Sequence, residues 1–208
     1  MIAIPERGIY LASRSPRRRE LLAQIGVRYH LLLFRERLGE NPEVDETPLA
    51  GEAPAAYVER MARAKADAGW RRMLQRNLPP APILAADTTV ALQGRLFGKP
   101  KDRAQAAEML AALSGQRHEV LTAVALKNYD QVEFALSTSE VQLKKLSPDE
   151  IAQYAASGEG DDKAGAYAIQ GRAGRFVVEL RGSYSGVMGL PLYETSLLLE
   201  KLRGRNPY

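Results

Sequence analysis

The residues that most constrain this chain are Ser13-Arg14-Ser15-Pro16-Arg17-Arg18-Arg19, which directly follow the apolar run Ile9-Tyr10-Leu11-Ala12. The run has the make-up of a short buried strand, and Pro16 followed by Leu21, Leu22 and Ile25 predicts a helix that stops at Gly26. Ser15 stands at the N-cap and proline at the first helical position, so strand turns into helix within a few residues. Such a turn points free backbone N–H groups and the positive end of the helix dipole at the loop. Arginines placed there add like charge to like potential and cost stability unless an anion compensates. Phosphate is the anion that suits them; a solvated, arginine-rich first turn is the plain alternative.

Composition narrows the partner. With 29 Lys and Arg against 25 Asp and Glu, acids nearly balance bases and the net charge is only +4, which disfavours a nucleic-acid coat and suits a small polyanion. Cysteine is absent, which removes thiol nucleophiles, Cys-ligated zinc and disulfides. No basic stretch precedes an apolar core at the N-terminus, and no run approaches the roughly 20 apolar residues of a membrane span. The chain therefore reads as soluble and cytoplasmic, with no membrane partner. Its 208 residues suffice for one domain with a sizeable core or two small lobes sharing a sheet.

The remaining pattern is mixed α/β without internal repeats. Leu31 to Gly51 reads as an irregular, acidic connection. Pro54 opens a helix in which Tyr57, Met61, Ala64 and Ala68 recur at helical spacing, leaving Arg60, Arg63 and Lys65 on other faces. Ile83-Leu84-Ala85-Ala86 predicts a short strand running into Asp87-Thr88-Thr89, and Val90-Ala91-Leu92 with Arg95-Leu96-Phe97 predicts a hairpin around Gln93-Gly94. Asp102 is placed to cap a helix ending at Ser114-Gly115. Two long strands, Glu119 to Leu126 and Gln131 to Leu143, follow. Ser147-Pro148-Asp149-Glu150 has the capping-box spacing of a helix stopped by Gly158. A glycine-rich loop from Ala164 to Gly171, a strand from Phe176 to Leu180 and a helix after Pro191 complete the chain.

Several residues can carry chemistry. Asp87, read at the end of an apolar strand where side chains converge on a cleft, suits a general base or a metal ligand, or else caps its own strand. Lys99, between Gly98 and Pro100, is held on a stiff turn that aims its ammonium at a fixed point or leaves it in solvent. Asp45 and Glu46 offer oxygen ligands to Mg²⁺ or Mn²⁺, which take one or two protein carboxylates together with phosphate oxygens and waters. Lys65 reaches a phosphate if its helix borders the cleft and is a surface lysine otherwise. Gln170 has the amide donor and acceptor that fit the edge of a base. His30 and His118 lie far apart without metal-ligand spacing, and neither a Walker loop nor a Gly-x-Ser-x-Gly elbow is present.

In order and separation, six segments resemble the Maf nucleotide pyrophosphatases. They are Leu11-Ala12-Ser13-Arg14-Ser15-Pro16-Arg17-Arg18, Ala86-Asp87-Thr88, Gly98-Lys99-Pro100, Leu113-Ser114-Gly115, Asp162-Lys163-Ala164-Gly165-Ala166-Tyr167 and Gly189-Leu190-Pro191. The resemblance spans about Tyr10 to Glu200. It implies a single Maf-like domain over residues 1–208, an ITPase-like α/β fold with a mixed β-sheet, flanking helices and two lobes around a central cleft. It implies hydrolysis of nucleoside triphosphates to monophosphate and pyrophosphate, with a divalent metal cation, Mg or Mn, as cofactor. Matching positions place Ser13, Arg17, Arg18, Lys65 and Lys99 on the substrate, Asp87 as catalytic proton acceptor, and Glu46 with Asp87 at the metal, Asp45 being the fallback. Arg17, Thr88 and Gln170 match positions linked with substrate choice.

Asp87-Thr88 together with Gly165-Ala166-Tyr167-Ala168-Ile169-Gln170-Gly171 resembles the subgroup preferring dTTP and UTP, apart from Ala168 where that subgroup has glycine. Gly160 stands where proline often follows Gly-Glu. The stretch Phe34 to Val44 is longer than in many members. A pyrophosphatase for a modified nucleotide such as 7-methyl-GTP and a non-catalytic nucleotide- or nucleic-acid-binding regulator are the rival readings. The family resemblance also suggests a homodimer.

Overall fold

The computed structural model describes residues 8–33 and 44–203, so most of the long stretch Phe34 to Val44 lies outside the described residues. Seven strands form one sheet: β1 (Ile9–Leu11), β2 (Tyr29–Leu31), β3 (Ile83–Leu92), β4 (Arg95–Phe97), β5 (Arg117–Asn128), β6 (Gln131–Leu143) and β7 (Val177–Arg181). The order is β2-β1-β3-β5-β6-β7, with β4 paired to the far end of β3 as the predicted hairpin. β1 runs parallel to both β2 and β3, whereas β3, β5, β6 and β7 pair antiparallel in succession. This is the mixed sheet with flanking helices that the sequence predicts. The helices are α1 (Pro16–Gln24), α2 (Pro54–Gln75), α3 (Arg103–Leu113), α4 (Pro148–Ser157), α5 (Tyr184–Met188) and α6 (Leu192–Arg203).

β3 differs from expectation. It is one continuous strand of ten residues, and its ladder with β5 runs unbroken from Ile83 opposite Lys127 to Ala91 opposite Glu119. Asp87 therefore sits in the middle of a strand, not at its end. The β-branched residues Thr88, Thr89 and Val90 fit a pleated, buried surface and carry the strand on. Both faces of β3 are covered, so alternate residues enter different cores. Ile83, Ala85 and Ala91 pack with Val58, Ala62 and Ala66 of α2. Leu84 and Ala86 pack with Leu21 and Leu22 of α1 and with Leu198 and Leu199 of α6. A third core, including Val90, Phe97, Leu110, Tyr154 and Phe176, joins the other end of the sheet to α3 and α4.

Helix α2 buries Val58, Met61, Ala62, Ala66, Ala68, Gly69 and Met73, so Met61 and Ala68 of the predicted face are buried while Tyr57 and Ala64 are only half-buried. The small residues among those buried let the helix lie close to the sheet. At Gly69 a Cβ would stand 2.7 Å from Ile83 Cγ2 and 3.2 Å from Ala12 Cβ.

The caps at Asp102 and Ser147 form as predicted: Asp102 accepts from the Gln105 N–H at 2.8 Å, and Ser147 and Glu150 complete a reciprocal box. Ser15 occupies the N-cap of α1, but its hydroxyl makes no capping bond; its own N–H donates to Ser13 Oγ at 3.2 Å instead. The first N–H groups of α1 are thereby left without that partner. β2 and α5 escape sequence reading because Tyr29-His30-Leu31 is short and Tyr184-Ser185-Gly186-Val187-Met188 has no apolar stripe. Among the described residues, no helix is long and apolar enough to cross a membrane.

His118 on β5 is 1% exposed, with Nε2 at 2.8 Å from the Tyr167 hydroxyl. Burial pushes its pKa down to about 4, against an opposing contact with the Gln116 backbone. The unfolded chain therefore takes up this proton first, so the contribution is fully present above about pH 6.5 and is lost as pH falls toward 4. We expect wild type minus His118→Gln to show a stability difference declining by about 3 kcal/mol across that window, read by urea denaturation at stepped pH. A flat difference would mean that His118 is not buried in its neutral form. Gly69→Ala should cost about 1–3 kcal/mol through overpacking against Ile83, again visible as a lowered urea midpoint.

Candidate active site

A cavity of about 400 Å³ opens where the first turn of α1, the middle of β3 and the segment after α4 meet. Apart from Asp45, every substrate, catalytic and metal residue singled out from the sequence lines it. Ser13, Arg17 and Arg18 come from the strand-to-helix turn, and Asp87 and Thr88 from β3. Lys65 comes from α2, Lys99 from the loop after β4, Glu46 from the segment before α2 and Gln170 from the glycine-rich loop. Asp45 does not join them. Its carboxylate is exposed and accepts the Thr47 N–H at 2.9 Å.

Strand parity separates the two halves of the site. Asp87 shares the face of Ile83 and Ala85 and so meets α2, whereas Thr88 shares the face of Leu84 and Ala86 and so meets α1. On the α2 side, Lys65 Nζ lies 2.6 Å from Asp87 Oδ1 and 2.6 Å from Glu46 Oε1. Lys65 and Asp87 are largely shielded, at 16% and 12% side-chain exposure, so this bridge counts for more than a surface ion pair. Burial opposes the charged form of Glu46, but Lys65, with Lys99 and Arg18, outweighs it and holds the carboxyl below its usual range. Tyr57 donates its hydroxyl to the Glu46 backbone carbonyl at 3.0 Å. Burial and the charges of Asp87 and Glu46 push that phenol up to about 12, so it remains a neutral donor.

On the α1 side, Arg18 Nε donates to Gly189 O at 2.8 Å, and its two terminal nitrogens donate to Ser13 Oγ at 3.1 Å and Thr88 Oγ1 at 3.3 Å. A guanidinium has five N–H bonds, so two remain for the cavity. Burial lowers the Arg18 pKa, with Asp87 opposing, yet a guanidinium stays charged. Thr122, directly across the ladder from Thr88, donates its only hydroxyl proton to Gly186 O at 2.8 Å. Thr88 must then donate to Thr122 at 2.9 Å and accept from Arg18. The Thr88 hydroxyl is committed to orienting Arg18. Sequence reading passed over Thr122, whose only signal was its register opposite Thr88.

Arg17 donates from Nε to the neighbouring carbonyl, Met188 O, at 3.3 Å. Lys163, another residue not singled out from the sequence, also lines the cavity and forms an ion pair with the neighbouring Asp162. The apolar wall opposite comprises Val90, Val120, Tyr167, Ile169 and Val187, with Gln170 exposed at the rim. His118 holds the Tyr167 hydroxyl from behind. Tyr154 accepts the Ala168 N–H at 3.1 Å and donates to Glu159 at 3.0 Å, tying the loop to α4. Gly160 admits no side chain, since a Cβ would stand 2.1 Å from Ala166 O. Glycine there tightens the loop onto its neighbour.

Among the described residues, no three His, Cys, Asp or Glu side chains cluster as a preformed metal cage. Asp87 and Glu46 converging on Lys65 nevertheless fit Mg²⁺ or Mn²⁺, because Mg²⁺ takes one or two carboxylates and completes its octahedron with phosphate oxygens and water.

The family model described as Maf-like protein matches residues 8–202. A relative from Nitrosomonas europaea, named dTTP/UTP pyrophosphatase, is 59% identical over 193 residues, 93% of each chain. Relatives of the same name from Dechloromonas aromatica and Aromatoleum aromaticum are 55% and 57% identical over 194 residues, covering 93% and 92% of this chain and 96% and 94% of theirs. Among solved structures, the Staphylococcus aureus Ham1 protein aligns with a TM-score of 0.48 at 17% identity, over 95% of this chain and 99% of its own.

Proposed function

The chain belongs to the Maf family, and we propose that it hydrolyses nucleoside triphosphates, dTTP and UTP first, to the monophosphate and pyrophosphate. One observation carries the reading: a carboxylate held by its own lysine shares a cavity with cations free to meet a polyanion. A module that only bound nucleotide would need the cations alone.

In this reading the triphosphate lies across the opening of α1, with Arg17, Lys99 and the two remaining Arg18 N–H bonds on its oxygens. Asp87 accepts a proton from the water that attacks the α-phosphorus, and Lys65 holds that carboxylate in place. The bond from the α-phosphorus to the bridging oxygen breaks, and the departing pyrophosphate gains charge beside the cations. A divalent metal held by Glu46 and Asp87 would neutralise phosphate oxygens and stabilise developing charge.

The base lies against Val90, Val120 and Ile169 with its polar edge at Gln170, whose amide offers a donor and an acceptor to a thymine or uracil. Among the described residues all three cores share one sheet, which supports reading residues 1–208 as one domain. The family resemblance further suggests a cytoplasmic homodimer.

Incubating dTTP, UTP and other canonical and modified triphosphates with Mg²⁺ or Mn²⁺ should release monophosphate and pyrophosphate in equal amounts, fastest from the two pyrimidines. Release of single inorganic phosphate with a diphosphate would overturn attack at the α position. Asp87→Asn should lower kcat by at least about 10²–10³ while leaving the melting curve of a folded protein. Near-normal turnover in that variant would remove Asp87 from the role of base.

A further inference from the structure

We propose that Lys163 is a substrate contact that grips the terminal phosphates of the triphosphate and the departing pyrophosphate, an inference that rests on the pyrophosphatase reading above. The cations of the cavity are not equally available. Lys65 is engaged by two carboxylates, and Arg18 directs three of its N–H bonds into the protein. Arg17, Lys99 and Lys163 also line the hollow, and the charges of Arg17 and Lys99 act on Lys163.

Lys163 is held in place through its backbone. The Gly165 N–H donates to Gly98 O at 3.1 Å, tying the lysine's segment to the turn that carries Lys99. Gly165 has φ +70°, and a Cβ there would stand 2.9 Å from Val90 Cγ2, so the segment also lies hard against β3. The ammonium end is only loosely held. The side chain is 13% exposed, and its ion-pair partner Asp162 is 65% exposed on the rim, where an ion pair is weak and readily exchanged.

The charged groups acting on Lys163 are Arg17 of α1, Lys99 after β4, and Glu159, Asp161 and Asp162 of its own segment. Burial, reinforced by Arg17 and Lys99 against Glu159 and Asp161, brings its pKa down to about 8. Lys163 thus stands in the same hollow as Arg17 and Lys99, its segment tied to the turn of Lys99, and these are the cations that the reading above places on the triphosphate.

The test compares wild type, Lys163→Gln and Lys163→Arg, with melting curves confirming that each is folded. Lys163→Gln should raise KM for dTTP and weaken inhibition by inorganic pyrophosphate about tenfold or more, with inhibition by thymidine monophosphate unchanged. Lys163→Arg, which keeps the charge, should bind pyrophosphate nearly as wild type does. Unchanged pyrophosphate inhibition in Lys163→Gln would overturn the assignment, as would equal weakening toward the monophosphate. Direct pyrophosphate titration of the same proteins reads Lys163 separately from turnover, so a wild type that fails to cleave dTTP would count against the parent reading instead.

Discussion

β3 is covered on both faces, and this single constraint divides the cavity into its two working halves. Because successive side chains of a strand point opposite ways, Asp87 and Thr88 cannot serve the same helix. Asp87 goes to α2, where Lys65 and Glu46 surround it, and Thr88 goes to α1, where it orients Arg18. A one-residue slip in the pairing of β3 with β5 would exchange these partners and move the apolar residues from one core to the other. Nine consecutive pairs with β5, and helix α2 seated close over Ile83 through its Gly69, hold the register.

Charge is sorted along the same division. The α2 side gathers its two carboxylates around one ammonium, so the acids of the cavity are only half balanced before any ligand arrives. The α1 side and the loops facing it carry cations whose protein partners are carbonyls, hydroxyls or a rim carboxylate. Arginine tolerates this better than lysine because its charge is delocalised and its five N–H bonds can be shared between protein and ligand. The resulting hollow is polarised: a half-neutralised pair of acids on one wall and unbalanced positive charge on the other. A nucleotide tail bearing several negative charges complements it, with the bond to be broken lying between the two walls.

Much of this was legible in the chain. Proline and arginines following a short apolar run fixed the strand-to-helix turn, and the Asp102 and Ser147 caps and the Gly158 stop formed where local chemistry put them. The site residues Ser13, Arg17, Arg18, Glu46, Lys65, Asp87, Thr88, Lys99 and Gln170 converge on one cavity. Their partners were less readable. Ser15 looks like a capping serine, yet Ser13 takes the hydrogen bond, because the turn brings Ser13 Oγ within reach of both the Ser15 N–H and Arg18. Lys65 reads as a phosphate contact, but the close approach of α2 that sets it between two carboxylates carries no local signal. Thr122 carries no motif and acquires its role from the residue across the ladder and from Gly186 in a later helix.

By itself the sequence determined where helices begin and stop, which runs are buried, and which residue types bear charge and can meet a phosphate. Those properties depend on neighbours a few positions apart: caps, turn residues and hydrophobic periodicity. Tertiary structure alone decided which charges are neutralised and which stay available, since that depends on groups far apart in the chain. Lys65 meets Asp87 across 22 positions, and Arg18 meets Thr88 across 70 and Gly189 across 171. An ammonium can join a carboxylate or a phosphate with equal chemical ease, and only the packing of α2 against β3 settles which of them it meets.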